Sequence, residues 1–334
     1  MLSKLQLAPN APERLDGLLI ATTTPDGLGS SLAGGIDFNG DKVSDLVIGS
    51  PNANGGIGEV IIIFGGTGIV SPADGATVSA LLSTTRTATG GPVAARIKGN
   101  VAGQCTGTPV KTCLTDTDCG TGRTCVGEKG LFGFNVANAG DVDGDGTDDL
   151  LIAAPNASPR FDNAPNDGVD RLDTPGVDVN LDGVRDEVPG DDQLLQAGLV
   201  YVVFGNNRLD RVRTCQGTAT PCTSAADCAQ GVACALSDAT ININQLGTSG
   251  LGGLVIAGRR AGDRIGGGDA GDENSNKLNR GRSRGLAGAG DVDGDDRTDI
   301  LIGAILADPR RDPSTGIGVA NGGEAYLIYG SNVP

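Results

Sequence analysis

Short apolar runs bounded by glycine and aspartate recur along the chain in a fixed order. Leu46-Val-Ile-Gly49, Leu150-Leu-Ile-Ala153 and Ile300-Leu-Ile-Gly303 each follow an acidic stretch. Each gives way to a second run: Glu59-Val-Ile-Ile-Ile-Phe-Gly65, Leu199-Val-Tyr-Val-Val-Phe-Gly205 and Glu324-Ala-Tyr-Leu-Ile-Tyr-Gly330. A helix would repeat its apolar positions at helical spacing over about ten residues or more, and these runs stop well short of that, so they predict strands. Runs that are apolar without alternation predict strands covered on both faces. A small-residue run precedes each acidic stretch (Leu32-Ala-Gly-Gly-Ile36, Ala137-Asn-Ala-Gly140, Leu286-Ala-Gly-Ala-Gly290). Farther upstream lie Gly17-Leu-Leu-Ile-Ala21 and Gly253-Leu-Val-Ile-Ala257, with Ala94-Ala-Arg-Ile-Lys-Gly99 reading as an interrupted middle copy.

The order therefore repeats three times, in units at 1–66, 67–205 and 206–334. Insertions at 105–125 and 156–197 in the second unit and at 215–234 in the third make the lengths unequal. A repeat of this kind sets the architecture.

The acidic stretches carry the candidate chemistry. They read Asp37-Phe-Asn39-Gly-Asp41-Lys-Val43-Ser-Asp45, Asp141-Val-Asp143-Gly-Asp145-Gly-Thr147-Asp-Asp149 and Asp291-Val-Asp293-Gly-Asp295-Asp-Arg297-Thr-Asp299. Side-chain oxygens stand at loop positions one, three, five and nine. Position seven, held by Val43, Thr147 or Arg297, offers a main-chain carbonyl. A hard cation taking about six to eight oxygen ligands suits that set, and calcium fits it best. A fourth loop inside the acidic insertion, Asp178-Val-Asn180-Leu-Asp182-Gly-Val184-Arg-Asp186, has the same spacing and is a further candidate calcium site. The alternative for that stretch, rich in Asp, Pro and Asn with little to pack, is a disordered acidic loop.

The Asp-rich loops, the Phe-Gly endings and the turns at Gly49-Ser-Pro51, Ala153-Ala-Pro155 and Gly303-Ala304 resemble the FG-GAP repeats of integrin α-chain β-propellers and related bacterial secreted proteins. The resemblance implies an all-β fold of three four-stranded propeller-type blades, with calcium held in a hairpin of each. Position six is where that pattern has glycine for a positive φ. It is Gly146 in the second loop but Lys42 and Asp296 in the others, which predicts weaker binding there. Closed propellers have about four to eight blades, so three blades make an incomplete propeller that does not close by itself.

Composition narrows the function. Of 334 residues 56 are glycine, aromatics make up 3% and tryptophan is absent, which fits a turn-rich all-β chain. The formal charge of −16, much of it in the loops, opposes a nucleic-acid partner. The cationic cluster Lys277, Arg280, Arg282 and Arg284 reads as a solvated loop. Histidine is absent and no Gly-x-Ser-x-Gly elbow occurs, so the expectation is a protein that is not an enzyme. The tyrosines Tyr201, Tyr326 and Tyr329 lie in predicted strands rather than on a sugar-binding platform.

Eight cysteines form two sets, Cys105, Cys113, Cys119, Cys125 and Cys215, Cys222, Cys228, Cys234. Asp118-Cys119-x-x-Gly122-x-x-Cys125 matches Asp227-Cys228-x-x-Gly231-x-x-Cys234, one small module inserted twice. The competing reading, zinc, lacks both Cys-x-x-Cys knuckles and histidine. Two disulfides per module are expected, and with them an oxidising compartment. No apolar stretch reaches the roughly 20 residues of a membrane span. The N-terminus lacks the apolar core of a signal peptide, so a secreted form implies that a signal has been removed. The expectation is an extracellular or cell-surface structural or adhesion protein. Its partners would be copies of itself, assembled head to tail into a filament or surface layer, or an extracellular protein or glycan. The alternative is a ligand-binding, adhesin- or lectin-like propeller completed by oligomerisation or by further blades.

Overall fold

The computed structural model describes residues 20–66, 76–77, 93–99, 103–105, 112–113, 125–127, 129–159, 196–205, 213–215, 221–222, 230, 234–235, 240–247, 251–259, 262–269, 282–307 and 322–331. Among these residues the chain is almost wholly strand and turn, with single helical turns at Ala53–Gly56 and Ile243–Gln245. No described helix is long and apolar enough to cross a membrane.

Three antiparallel sheets carry the repeats. The first runs Ser31–Ile36, Asp45–Ser50, Glu59–Ile63, Ala94–Lys98. The second runs Asn135–Gly140, Asp149–Ala154, Leu199–Val203, Gly253–Ala257, and the third runs Leu286–Gly290, Asp299–Ala304, Glu324–Ile328. Each acidic loop joins the first two strands of a sheet, as its apolar flanks predict. The hairpins share one irregularity: the register passes from Gly34↔Leu46 to Ile36↔Asp45, from Asn138↔Leu150 to Gly140↔Asp149 and from Gly288↔Ile300 to Gly290↔Asp299. A bulge of this sort bends the strand, here just where the acidic loop begins.

The sheets and the sequence units divide the chain differently. Ala94–Lys98, the upstream apolar run of the second unit, is an uninterrupted strand and forms the fourth strand of the first sheet, with Val60 opposite Ile97. Gly253–Ala257, in the third unit, completes the second sheet in the same register, with Val200 opposite Ile256. The second and third units thus hand these strands to the sheet before them. Beyond Ala94–Lys98, Thr240–Asn242 adds a fifth, parallel strand to the first sheet.

The sheets stack face to face. Val47, Val60, Ile62 and Phe64 of the first sheet pack on Val136, Leu150, Ile152, Tyr201 and Val203 of the second, with Phe132 wedged edge-on to Tyr201 at 5.3 Å. The opposite face of the second sheet repeats the arrangement: Leu151, Val200, Val202 and Phe204 meet Ile300 and Ile302 of the third. Among the described residues the middle sheet alone has a sheet on each face, and its strand Asp149–Ala154 is buried throughout; strand Glu59–Ile63 of the first sheet is buried throughout as well. The terminal sheets each have, among the described residues, an open side, where Leu32 and Leu46, and Leu301 and Leu327, are exposed. On the open side of the first sheet Ile48, Ile61 and Ile63 are nonetheless buried, by a cluster with Val93, Ala94, Ile20 and Leu28.

The cysteine modules are two small sheets of identical topology. In one, Gly103–Cys105 lies between Thr112–Cys113 and Cys125–Gly127; in the other, Arg213–Cys215 lies between Pro221–Cys222 and Cys234–Ala235. Their register sets Cys105 opposite Cys125 and Cys215 opposite Cys234. Cys119 and Cys228 lie outside the described residues.

Candidate metal centres

The three acidic loops are folded alike, and backbone amides do the folding. The first aspartate of each loop accepts N–H groups from the turn that follows. Asp141 Oδ1 accepts from Gly144 at 2.7 Å and Asp145 at 3.0 Å, and Oδ2 from Gly146 at 2.9 Å. Asp291 is held by the corresponding amides of Gly294, Asp295 and Asp296. At position five Asp41, Asp145 and Asp295 accept the N–H of Val43, Thr147 and Arg297 respectively. These short-range bonds turn the carboxylates inward before any ion arrives.

The inward turn brings like charges together. Asp141, Asp143 and Asp149 each offer an oxygen within 4.8 Å of the others, and so do Asp291, Asp293 and Asp299. Oxygens on opposite sides of a calcium ion stand about twice 2.3–2.6 Å apart, so the spacing suits that ion. In the first loop Asn39 takes position three, its Oδ1 accepting the Asp41 amide at 3.1 Å. Asp37 Oδ1 is buried there without a hydrogen-bond partner among the described residues, while Oδ2 accepts the Lys42 amide at 3.0 Å. A buried carboxylate oxygen left unpaired is costly, and a cation would satisfy it. The donor sets fit calcium on these grounds.

The ninth-position aspartates have a second task. Asp45, Asp149 and Asp299 are fully buried. One oxygen of each accepts the amide at loop position two, from Phe38, Val142 or Val292. The other accepts the amide of the glycine closing the third strand: Gly65 at 2.8 Å, Gly205 at 2.9 Å and Gly330 at 2.9 Å. The Phe-Gly ending and the acidic loop are therefore one bonded unit. A Cβ at Gly65 would stand 2.2 Å from the Ser44 carbonyl oxygen, so no larger residue reaches that aspartate. The sequence held the signal, a Phe-Gly or Tyr-Gly pair at the end of every third strand, but its partner becomes visible only with the hairpin closed.

Burial raises the pKa of Asp149 and Asp45. Asp149 is pushed up to about 8, by desolvation first and by the charges of Asp143 and Asp141, against the pull of the Gly205 and Val142 amides. Asp45 is pushed up to about 6, again by desolvation first. Asp143 is raised by burial and by the neighbouring Asp145 charge.

Position six takes a left-handed conformation in all three loops: φ is 68° at Lys42, 88° at Gly146 and 67° at Asp296. The backbone path is thus kept where glycine is missing, at a conformational cost to the two side-chain-bearing residues. Lys42 lies 3.6 Å from Asp37 and its Nζ reaches the Gly146 carbonyl of the next loop at 3.5 Å. Arg297 pairs with Asp295 at 2.9 Å. The candidate site at Asp178, Asn180, Asp182, Val184 and Asp186 lies outside the described residues.

Comparison with known families agrees with this anatomy. The FG-GAP repeat family matches residues 28–63 and 132–169, so the chain carries two FG-GAP repeats, spanning the first and second acidic loops. The hairpin around the third loop has the same strand order, bulge and hydrogen bonds as those two. No curated protein matches the chain.

Proposed function

We propose that this chain is a calcium-binding structural or adhesion module of the extracellular space, built from β-propeller-type blades and acting through contact rather than catalysis. The observation that carries it is the pair of carboxylate triads, Asp141, Asp143, Asp149 and Asp291, Asp293, Asp299, folded to calcium spacing at the ends of stacked sheets. FG-GAP repeats are typical of extracellular proteins, which supports secretion, and paired cysteines within each inserted module would suit the same compartment. The repeat boundaries at 1–66, 67–205 and 206–334 belong to this reading, as do ion ligation by the first loop and by residues 178–186. So does self-assembly of the chain into a filament or surface layer.

Calcium in such a module is a structural ion. Each loop lies at the start of a sheet, and in the first two the first aspartate is bonded to the loop of the next sheet, so the charge an ion neutralises there is shared between neighbouring blades. Titration of the purified chain with calcium, followed by heat and by melting temperature, tests the reading: saturable binding and a raised melting temperature are expected. Heat-silent titration with an unmoved melting temperature would refute it.

A further inference from the structure

We infer that the open face of the third sheet receives a second copy of this chain, and that the segment around Ile20 of that copy supplies the outer strand that the third sheet lacks among the described residues. The inference deepens the self-assembly reading above by naming the contact.

The two open faces are the two halves of an interface the chain already makes twice. Structurally equivalent positions show it. Leu46 on the first sheet is 50% exposed, whereas its counterparts Leu150 and Ile300, each covered by a preceding sheet, are 0% and 1% exposed. Leu327 on the third sheet is 40% exposed, whereas Ile62 and Val202, each covered by a following sheet, are 1% and 0% exposed. Tyr329 is likewise exposed where Phe64 and Phe204 are buried. One open face thus has the composition of the covering surface and the other that of the covered surface. Such a contact is heterologous, head to tail, and repeats from copy to copy.

Strand count points independently to the same occupant. The first two sheets take their outer strand from the following unit, through Ile97 and Ile256, whereas the third has three strands among the described residues. The remaining copy of that leading-strand pattern is Gly17-Leu-Leu-Ile-Ala21. Ile97 and Ile256 both pack in the gap between their sheet and the next. Ile20 packs on the open side of the first sheet, the place an outer strand of a preceding sheet would hold, and among the described residues the one strand paired with it is the two-residue Ala76–Thr77. The register carried over from the first two sheets sets Ile20 of one copy opposite Ala325 of another. Ile20–Ala21 pairs with Ala76–Thr77 in the single chain, a two-residue parallel contact that the longer antiparallel pairing would replace. The backbone link between successive loops also has an open end: the carbonyls of Asp37 and Asp141 accept the amides of Asp148 and Thr298, which leaves Asp291 to accept the equivalent amide, Ser44 of the second copy.

The test uses the full chain in calcium with two surface variants, Leu327→Asp and Leu46→Asp, which spoil opposite faces. Both side chains are exposed, and unchanged circular dichroism and melting of the isolated variants confirm that each is folded. Light scattering at tens of micromolar is expected to show assemblies for the wild type, monomers for each variant alone and a 1:1 dimer when the two are mixed, since one good interface then remains. Hydrogen exchange is expected to slow at the amides of Glu324–Ile328 in the assembled wild type relative to either variant. A monomeric wild type overturns both this contact and the self-assembly reading. Wild-type assemblies that survive both substitutions, or variants that stay monomeric when mixed, overturn this contact and leave self-assembly by another surface.

Discussion

Asp37 and Asp148 are bound to one another twice. The amide of Asp37 donates to the Asp148 carboxylate at 2.8 Å, and the amide of Asp148 donates to the Asp37 carbonyl at 3.1 Å. Asp37 opens the first acidic loop, and Asp148 belongs to the second sheet's hairpin. The amide of Thr298 makes the corresponding bond to the Asp141 carbonyl at 2.8 Å. The leading candidate ligand of each of the first two loops is therefore positioned by the neighbouring sheet, so ion binding there would be coupled to the stacking of the sheets.

That coupling predicts an effect from a residue that is no ligand. Asp148→Ala removes one of the two bonds, worth about 1 kcal/mol, and leaves every candidate oxygen of the first loop in place. Calcium affinity at that loop is expected to fall about fivefold while the third loop is unaffected, as resolved by calorimetry on the variant.

The ninth-position aspartates predict a separation between fold and ion. Asp149→Ala strands the buried amides of Val142 and Gly205 and is expected to cost about 3 kcal/mol even in chelator, and more in calcium, where a candidate ligand is lost as well. Asp145→Ala, at a more exposed ligand position, is expected to lower the melting temperature in calcium and to leave it nearly unchanged in chelator. Thermal melts of both variants under both conditions check the contrast.

Position six predicts two stabilising substitutions. Lys42 and Asp296 hold φ of 68° and 67°, a region that costs a side-chain-bearing residue about 1–2 kcal/mol. Lys42→Gly and Asp296→Gly are each expected to gain about 1 kcal/mol, measured by denaturant unfolding in calcium. Gly146→Ala is expected to lose a similar amount through φ alone, because a Cβ there meets nothing within 4 Å.

On the proposed function, proton and calcium are expected to compete for the second loop. The folded-state pKa of Asp149, about 8, exceeds its ordinary value of 3.8, so the folded chain holds this proton more tightly than the unfolded one. Without calcium its contribution to stability is complete below the ordinary carboxylate range and is lost as pH rises through about 8. In chelator, unfolding free energy is therefore expected to decline between pH 4 and pH 8; in saturating calcium the sign reverses, because the ion needs the ionised form. A pH series of melts in each condition reads both slopes.

Much of this anatomy was legible in the residues. The loop spacing gave the candidate ligands, and the short apolar runs gave hairpins because period and length both excluded helices. What the runs could not give was ownership of the outer strand. Ala94–Lys98 and Gly253–Ala257 are close in sequence to the units they lead, and only the long-range pairings Val60↔Ile97 and Val200↔Ile256 assign them to the preceding sheets. The double use of Asp45, Asp149 and Asp299 was hidden for a related reason. A carboxylate at ligand spacing looks the same in sequence whether its oxygens face an ion or the amide of a glycine such as Gly65, 20 residues away.

The cysteines give a chemical prediction. Register sets Cys105 opposite Cys125 and Cys215 opposite Cys234 within two modules of the same topology. All eight are expected to resist alkylation without reductant, with disulfides inside each module and none between modules, as peptide mapping by mass spectrometry reads. Substantial labelling of Cys119 or Cys228 would contradict it.

Counting bound ions tests the central claim most directly. The chain, stripped with chelator and dialysed against calcium, is measured by elemental analysis alongside its melting curve. The account predicts three calcium ions per chain from the described loops, with one more if residues 178–186 bind. It also predicts a melting temperature higher by many degrees, since ligand at one hundred times Kd contributes about 2.7 kcal/mol per site. Fewer than two ions per chain, together with melting curves that coincide in calcium and in chelator, would contradict it.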